Sequence, residues 1–224
     1  MKIRELLRLL FYPLIILCLL VSAQSFFSYY TQGMSGLLDY LNAILDLREE
    51  RTVGTWLESI LFVIAGLSFF LVSRHPVLSK SGKTLLILMA LGFCFLSADE
   101  ALALHEFMGY QLEEATGIVK DTALEQRGFS WVLLYAPVAA GLFILIFISY
   151  FRICRAGAGL KPLMLFLLAW GALGSVVLLE AVAGWGILQR SEFQILPCFE
   201  ESFELLFIML FYGANLLIAE RAEL

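Results

Sequence analysis

Residues 84–106 read TLLILMALGFCFLSADEALALHE. An uncharged run from Thr84 to Ala98 is followed, within about two helical turns, by Asp99, Glu100, His105 and Glu106. A helix needs roughly 20 apolar residues, at 1.5 Å each, to cross a bilayer. Acids gathered at one end mark where such a helix meets water. Similar apolar runs recur along the chain, which is 61% hydrophobic and 16% charged, against about half and a quarter in a soluble domain. The mean hydropathy is +0.87. The expected fold is therefore all-α: a polytopic membrane helical bundle forming one integral domain over residues 1–224.

Working outward, six transmembrane helices are expected at about Leu7 to Ser28, Thr55 to Ser73, Thr84 to Glu106, Ser130 to Phe151, Pro162 to Leu188 and Pro197 to Ala219. The first follows Lys2, Arg4 and Arg8 like a signal peptide. Its apolar stretch runs to about Phe27 without a small-residue cleavage site, so it reads as a retained helix. With the N- and C-termini cytoplasmic, the inner segments hold Lys2, Arg4, Arg8, Arg74, Lys80, Lys83, Arg152, Arg155, Lys161 and Arg221. The outer segments hold Arg48, Arg51, Lys120, Arg127 and Arg190, a distribution that obeys the positive-inside rule.

The cytoplasmic links are short and basic. The first external segment, Tyr29 to Gly54, sets Leu37, Leu38, Leu41, Ile44 and Leu45 on one helical face, opposite Asp39, Asn42 and Asp46. That pattern predicts one external amphipathic helix lying on the membrane surface. The second external segment, Phe107 to Phe129, is polar and would cap the bundle. With a net charge of -5 and no basic stripe, the partner is the lipid bilayer and not a nucleic acid. Cys18, Cys94, Cys154 and Cys198 stand in separate apolar segments, without the spacing of a zinc or redox motif.

In this topology only Glu5, Glu220 and Glu223 are cytoplasmic. Eight acids fall in the outer halves of spans: Glu58, Asp99, Glu100, Glu106, Glu180, Glu200, Glu201 and Glu204, accompanied by His105. Some have an ordinary explanation. Glu200 and Glu201 follow Pro197 at a helix start, where the dipole favours acids, and Glu58 and Glu106 would reach water from near a helix end. Glu180 and Glu204 lie deeper, and intramembrane acids tend to face cavities or partners. Carboxylates from several helices with an imidazole form the ligand type that helical bundles use for metals. The expected metal ligands are Glu100, His105, Glu106, Glu180, Glu201 and Glu204, with Asp99 behind them or as an alternative. A divalent ion is expected: manganese, iron or zinc if the imidazole binds, calcium if the shell is all oxygen. With an open coordination position, such an ion would make the protein a metal-dependent membrane enzyme.

Two other readings stand beside this one. Paired acids serve proton-coupled cation transport, although the inner halves are almost wholly apolar and Asn215 is their lone exception. A non-catalytic subunit or assembly factor would present the acids to a basic partner. Gly171 and Ser175, with Gly174 nearby, have the small-residue spacing of a helix-packing face, toward a neighbour in the bundle, a partner or a second copy.

The run from Phe95 to Glu100, His105-Glu106, Leu179-Glu180 and Glu200-Glu201 through Glu204 resembles uncharacterised bacterial multi-pass membrane proteins with Asp-Glu, His-Glu and Glu-Glu pairs on separate spans. The resemblance covers roughly the second half of the chain. It implies a bacterial inner membrane and a shared site, without naming any chemistry.

Overall fold

The computed structural model describes residues 3–30, 45, 52–102, 104–117, 130–184 and 195–222, and among them every regular element is helical. These are α1 (Ile3–Tyr30), α2 (Val53–Val72), α3 (Lys80–Leu102), α4 (Leu104–Thr116), α5 (Ser130–Ile153), α6 (Leu160–Gly184) and α7 (Leu196–Arg221). A π-helical turn, Cys154–Ala158, joins α5 to α6. Every helix except α4 contains a stretch long and apolar enough to cross a membrane, six in all. The chain is an integral membrane protein. His105 and Glu106 lie in α4 and not in the helix that carries Asp99 and Glu100. The external amphipathic helix expected before α2 lies almost wholly outside the described residues.

Helix α7 forms the centre. Of its apolar stretch 67% is buried, against 17% for α1, and it packs against α6, α2 and α1. Its sequence explains the position: Ile208, Phe211, Tyr212, Ala214, Asn215 and Ile218 are buried on successive faces, as befits a helix surrounded by others. In mid-bundle the rings of Phe69, Phe93, Phe207 and Phe211 interlock. Phe207 meets Phe211 edge-on at 5.2 Å between centroids, and Phe69 lies 5.0 Å from Phe93. Phe166 and Trp170 extend the layer from α6 at 5.7 and 6.1 Å from Phe211.

Helices α2 and α3 approach closely at Gly66. A Cβ placed there would stand 2.9 Å from the backbone oxygen of Ala90, inside any real contact distance. Without a side chain at this position the two backbones can approach closely, a common device between membrane helices. Replacing Gly66 with Val is expected to cost about 1–3 kcal/mol, the usual range for overpacking. The check is the unfolding temperature of the purified protein in detergent.

On the side of this layer away from the acids, a buried polar group ties three helices. The Tyr150 hydroxyl donates to Asn215 Oδ1, and Asn215 Nδ2 donates to Ser68 Oγ at 2.9 Å. The isolated Asn215 of the sequence is thus paired through both its amide oxygen and its amide nitrogen. At the same end Arg8 pairs with Glu220 at 3.3 Å, and Arg221 donates to the Ala158 carbonyl beside Gly159. Gly159 has φ +71°, a left-handed conformation that glycine adopts without strain.

His75, in the link between α2 and α3, is buried, and its Nδ1 accepts a hydrogen bond from the Val77 amide at 3.3 Å. The ring is therefore neutral, with its proton on Nε2. Burial holds its pKa below the ordinary 6.5. The unfolded chain takes up the proton first as pH falls, so the stability that rests on neutral His75 is complete above about pH 6.5 and is lost as pH drops toward the folded-state pKa. His75→Gln should flatten the decline in melting temperature below about pH 6.5. An unchanged slope would assign that decline to other groups.

Candidate functional site

The site starts on α2. Thr52 caps this helix, its hydroxyl accepting from the Gly54 amide at 3.2 Å, and fixes where the first turn begins. Gly54, Leu57, Glu58, Leu61, Phe62, Ala65 and Phe69 are buried along one side of the helix, at the spacing of a packing seam. Glu58 therefore points where a leucine would, into the bundle, and is 1% exposed.

The next residue ties α2 to α3. Ser59 Oγ donates to the Ser97 carbonyl at 2.7 Å and lies 2.9 Å from Ser97 Oγ. Glu100 follows Ser97 by three residues, on the same side of α3. Glu58 and Glu100 stand close enough for their carboxyl groups to interact directly.

Helix α7 contributes the third side. Ser25 Oγ on α1 donates to Cys198 Sγ at 3.4 Å, and Phe26 meets Phe199 edge-on at 4.8 Å, which anchors the start of α7. Glu201 and Glu204, three apart, share a face. Each of Glu58, Glu201 and Glu204 offers one carboxylate oxygen, and these oxygens all lie within 4.8 Å of one another. Glu58 and Glu201 are thus direct neighbours, and Glu200 stands close enough to Glu201 to add its charge.

Four carboxyl groups, Glu58, Glu100, Glu201 and Glu204, are thus brought together from three helices. Such a group cannot remain wholly ionised in a low-dielectric interior without protons or a cation to offset its charge. One atom is left over. Glu58 Oε1 is buried and has no hydrogen-bond partner among the described residues, an arrangement that costs roughly 1–3 kcal/mol, or more for a charged group, if nothing fills it.

Of the residues expected from the sequence, Glu201 and Glu204 belong to the cluster and Glu100 adjoins it through Glu58. Asp99 is buried at 6% exposure but is not among the converging oxygens. The side chains of His105, Glu106 and Glu180 lie outside the described residues. The helix-dipole account of Glu200 and Glu201 weakens, because α7 begins at Leu196 and neither acid is in its first turn, where that effect acts. Glu58 was expected to reach water from near a helix end; instead it is in the centre of the site. Its signal lay in its spacing from Leu61, Ala65 and Phe69, a seam position, and not in its distance from the helix end.

A family model described as a domain of unknown function, DUF8692, matches residues 13–217. The chain belongs to this family. The part matching DUF8692 includes Glu58, Glu100, Glu201 and Glu204 and all of the aromatic layer. No curated protein and no solved structure matches the chain.

Proposed function

We propose that this protein holds a divalent cation between Glu58, Glu201 and Glu204, with Glu100 beside them, near the outer face of a bacterial inner membrane and with its termini in the cytoplasm. The observation that carries the reading is Glu58: a fully buried carboxylate with one unpartnered oxygen, set among carboxylate oxygens within 4.8 Å. A cation supplies both the missing partner and the missing charge. The oxygen-only set favours calcium or manganese, and participation of His105 would move the preference toward iron or zinc. A coordination position left open to water would suit metal-assisted hydrolysis at the outer leaflet.

A static site is favoured over a transport pathway. Asn215 lies eleven residues beyond Glu204 on α7, about 16 Å along the helix, with Phe207 and Phe211 between them. Those rings belong to a packed layer, which supports a closed path from the acids to the inner polar group.

The test is thermal unfolding of the chelator-treated protein, followed by titration with calcium, manganese, magnesium, zinc and ferrous ions separately. A cation that binds only the folded state stabilises it by about 2.7 kcal/mol at a hundred times its Kd, which is roughly 5–10 °C for a chain of this size. At least one ion should produce such a rise. No rise with any of the five would mean that protons alone offset the cluster. For the carrier reading, cation-driven proton flux in liposomes that vanishes in Glu204→Gln would displace the static site.

A further inference from the structure

A second concave surface lies at the opposite, basic end of the bundle. A groove of about 530 Å3 is lined by Val77, Phe147, Ile148, Phe151, Arg152 and Arg155. Its volume falls within the roughly 300–1,000 Å3 of ordinary ligand pockets. The lining is divided along α5. Phe147, Ile148 and Phe151 form an apolar wall, with Phe147 and Phe151 stacked at 6.2 Å. Arg152 stands in the last turn of α5 and Arg155 in the π-helical turn that follows. The Arg155 guanidinium sits 5.8 Å from the centre of the Phe151 ring, which joins the cationic rim to the apolar wall. Among the described residues no carboxylate pairs with either arginine; Glu220, at the same end, is paired with Arg8. From Phe147 to Arg155 the helix rises about 12 Å, enough to run from the headgroup level into the acyl region.

We propose that this groove binds an anionic phospholipid of the adjacent leaflet, its phosphate between Arg152 and Arg155 and an acyl chain along Phe147, Ile148 and Phe151. Two guanidinium groups match a phosphate in charge and in donor geometry. A soluble anion has no use for the apolar wall. An apolar helix from a partner has no use for two unneutralised arginines. Basic pockets at the ends of transmembrane helices recognise anionic headgroups in this way.

The experiment is a thermal-shift titration of the delipidated full-length protein in neutral detergent, comparing phosphatidylglycerol with phosphatidylcholine of identical chains. At about 1 kcal/mol for each basic residue near the headgroup, the two arginines should favour phosphatidylglycerol by about thirtyfold. Arg152→Gln/Arg155→Gln should bring the preference close to onefold, and Arg152→Lys/Arg155→Lys, which keeps the charge but loses the paired donors, should fall between that and the wild type. Lys80→Gln, which removes a charge at the same end outside the groove, should leave it intact. Equal binding of the two lipids by the wild-type protein would overturn the proposal without recourse to any variant. So would an equal loss in Lys80→Gln, a full response to inorganic phosphate alone, or co-purification of an acidic polypeptide that lipid cannot displace.

Discussion

Glu58→Gln is expected to raise the melting temperature of the cation-free protein and to abolish its response to added divalent ions. The two effects have one cause. Without a cation, Glu58 adds a further acid to a buried group that already holds Glu100, Glu201 and Glu204, which must be held either charged or protonated inside the bundle, and removing it spares that cost. With a cation, the same change removes a ligand. Loss of a residue that merely orients a metal ligand typically costs about 10–100-fold in affinity, and loss of the ligand itself should cost at least as much. Glu58→Leu should stabilise the cation-free protein further, because position 58 continues the apolar seam of α2. The readout is the melting temperature with and without the ion. If the carboxyls only shared protons to tie the helices, Glu58→Gln and Glu58→Leu would both lower stability, and the wild-type protein would ignore cations.

Phe211→Ala should give the largest loss of stability among single substitutions in the bundle. Phe211 is completely buried and meets the rings of Phe69, Phe93, Phe166, Trp170 and Phe207, which come from α2, α3, α6 and α7 itself. In water, Phe→Ala costs about 3–5 kcal/mol. Inside a bilayer the unfolded side chain stays in an apolar medium, so the cavity and lost packing dominate and the lower end, about 3 kcal/mol, is expected. The cation-induced shift should persist in this variant, since Phe211 lies about two turns from Glu204 and contributes no ligand. Unfolding free energies measured in mixed micelles test the size of the loss. A change below about 1 kcal/mol would show that the aromatic layer is loosely packed.

The apolar helices were legible in the sequence because the bilayer imposes a length and an apolar content that soluble structure does not need. The pairing of Glu201 with Glu204 was legible too, because three residues along a helix fixes a shared face. What one sequence could not supply was contact between helices. Ser59 meets Ser97 across 38 residues and Asn215 meets Ser68 across 147, and neither pairing leaves a local trace. Glu58 needed both kinds of information: its seam position was visible, but its convergence with α7 was not.

Small-residue spacing did not identify the face of α6 that packs within the chain. Gly171, Gly174 and Ser175 have the pattern of a close helix crossing, yet a Cβ at either glycine would meet nothing within 4 Å among the described residues. The packing face of α6 is instead Phe166, Ala169, Ala172 and Val176, all buried. The spacing found a stripe of small residues, but several stripes of one helix can satisfy it and only the neighbours decide which is used.

The central claim is that the carboxylates of Glu58, Glu201 and Glu204 hold a divalent ion. Elemental analysis of protein equilibrated with each ion and freed of excess tests it most directly. The account predicts about one equivalent of one divalent metal per wild-type chain and less than about a tenth in Glu58→Gln/Glu201→Gln, since removing ligands removes the site. Equal metal content in the two proteins, or none in either, would contradict it.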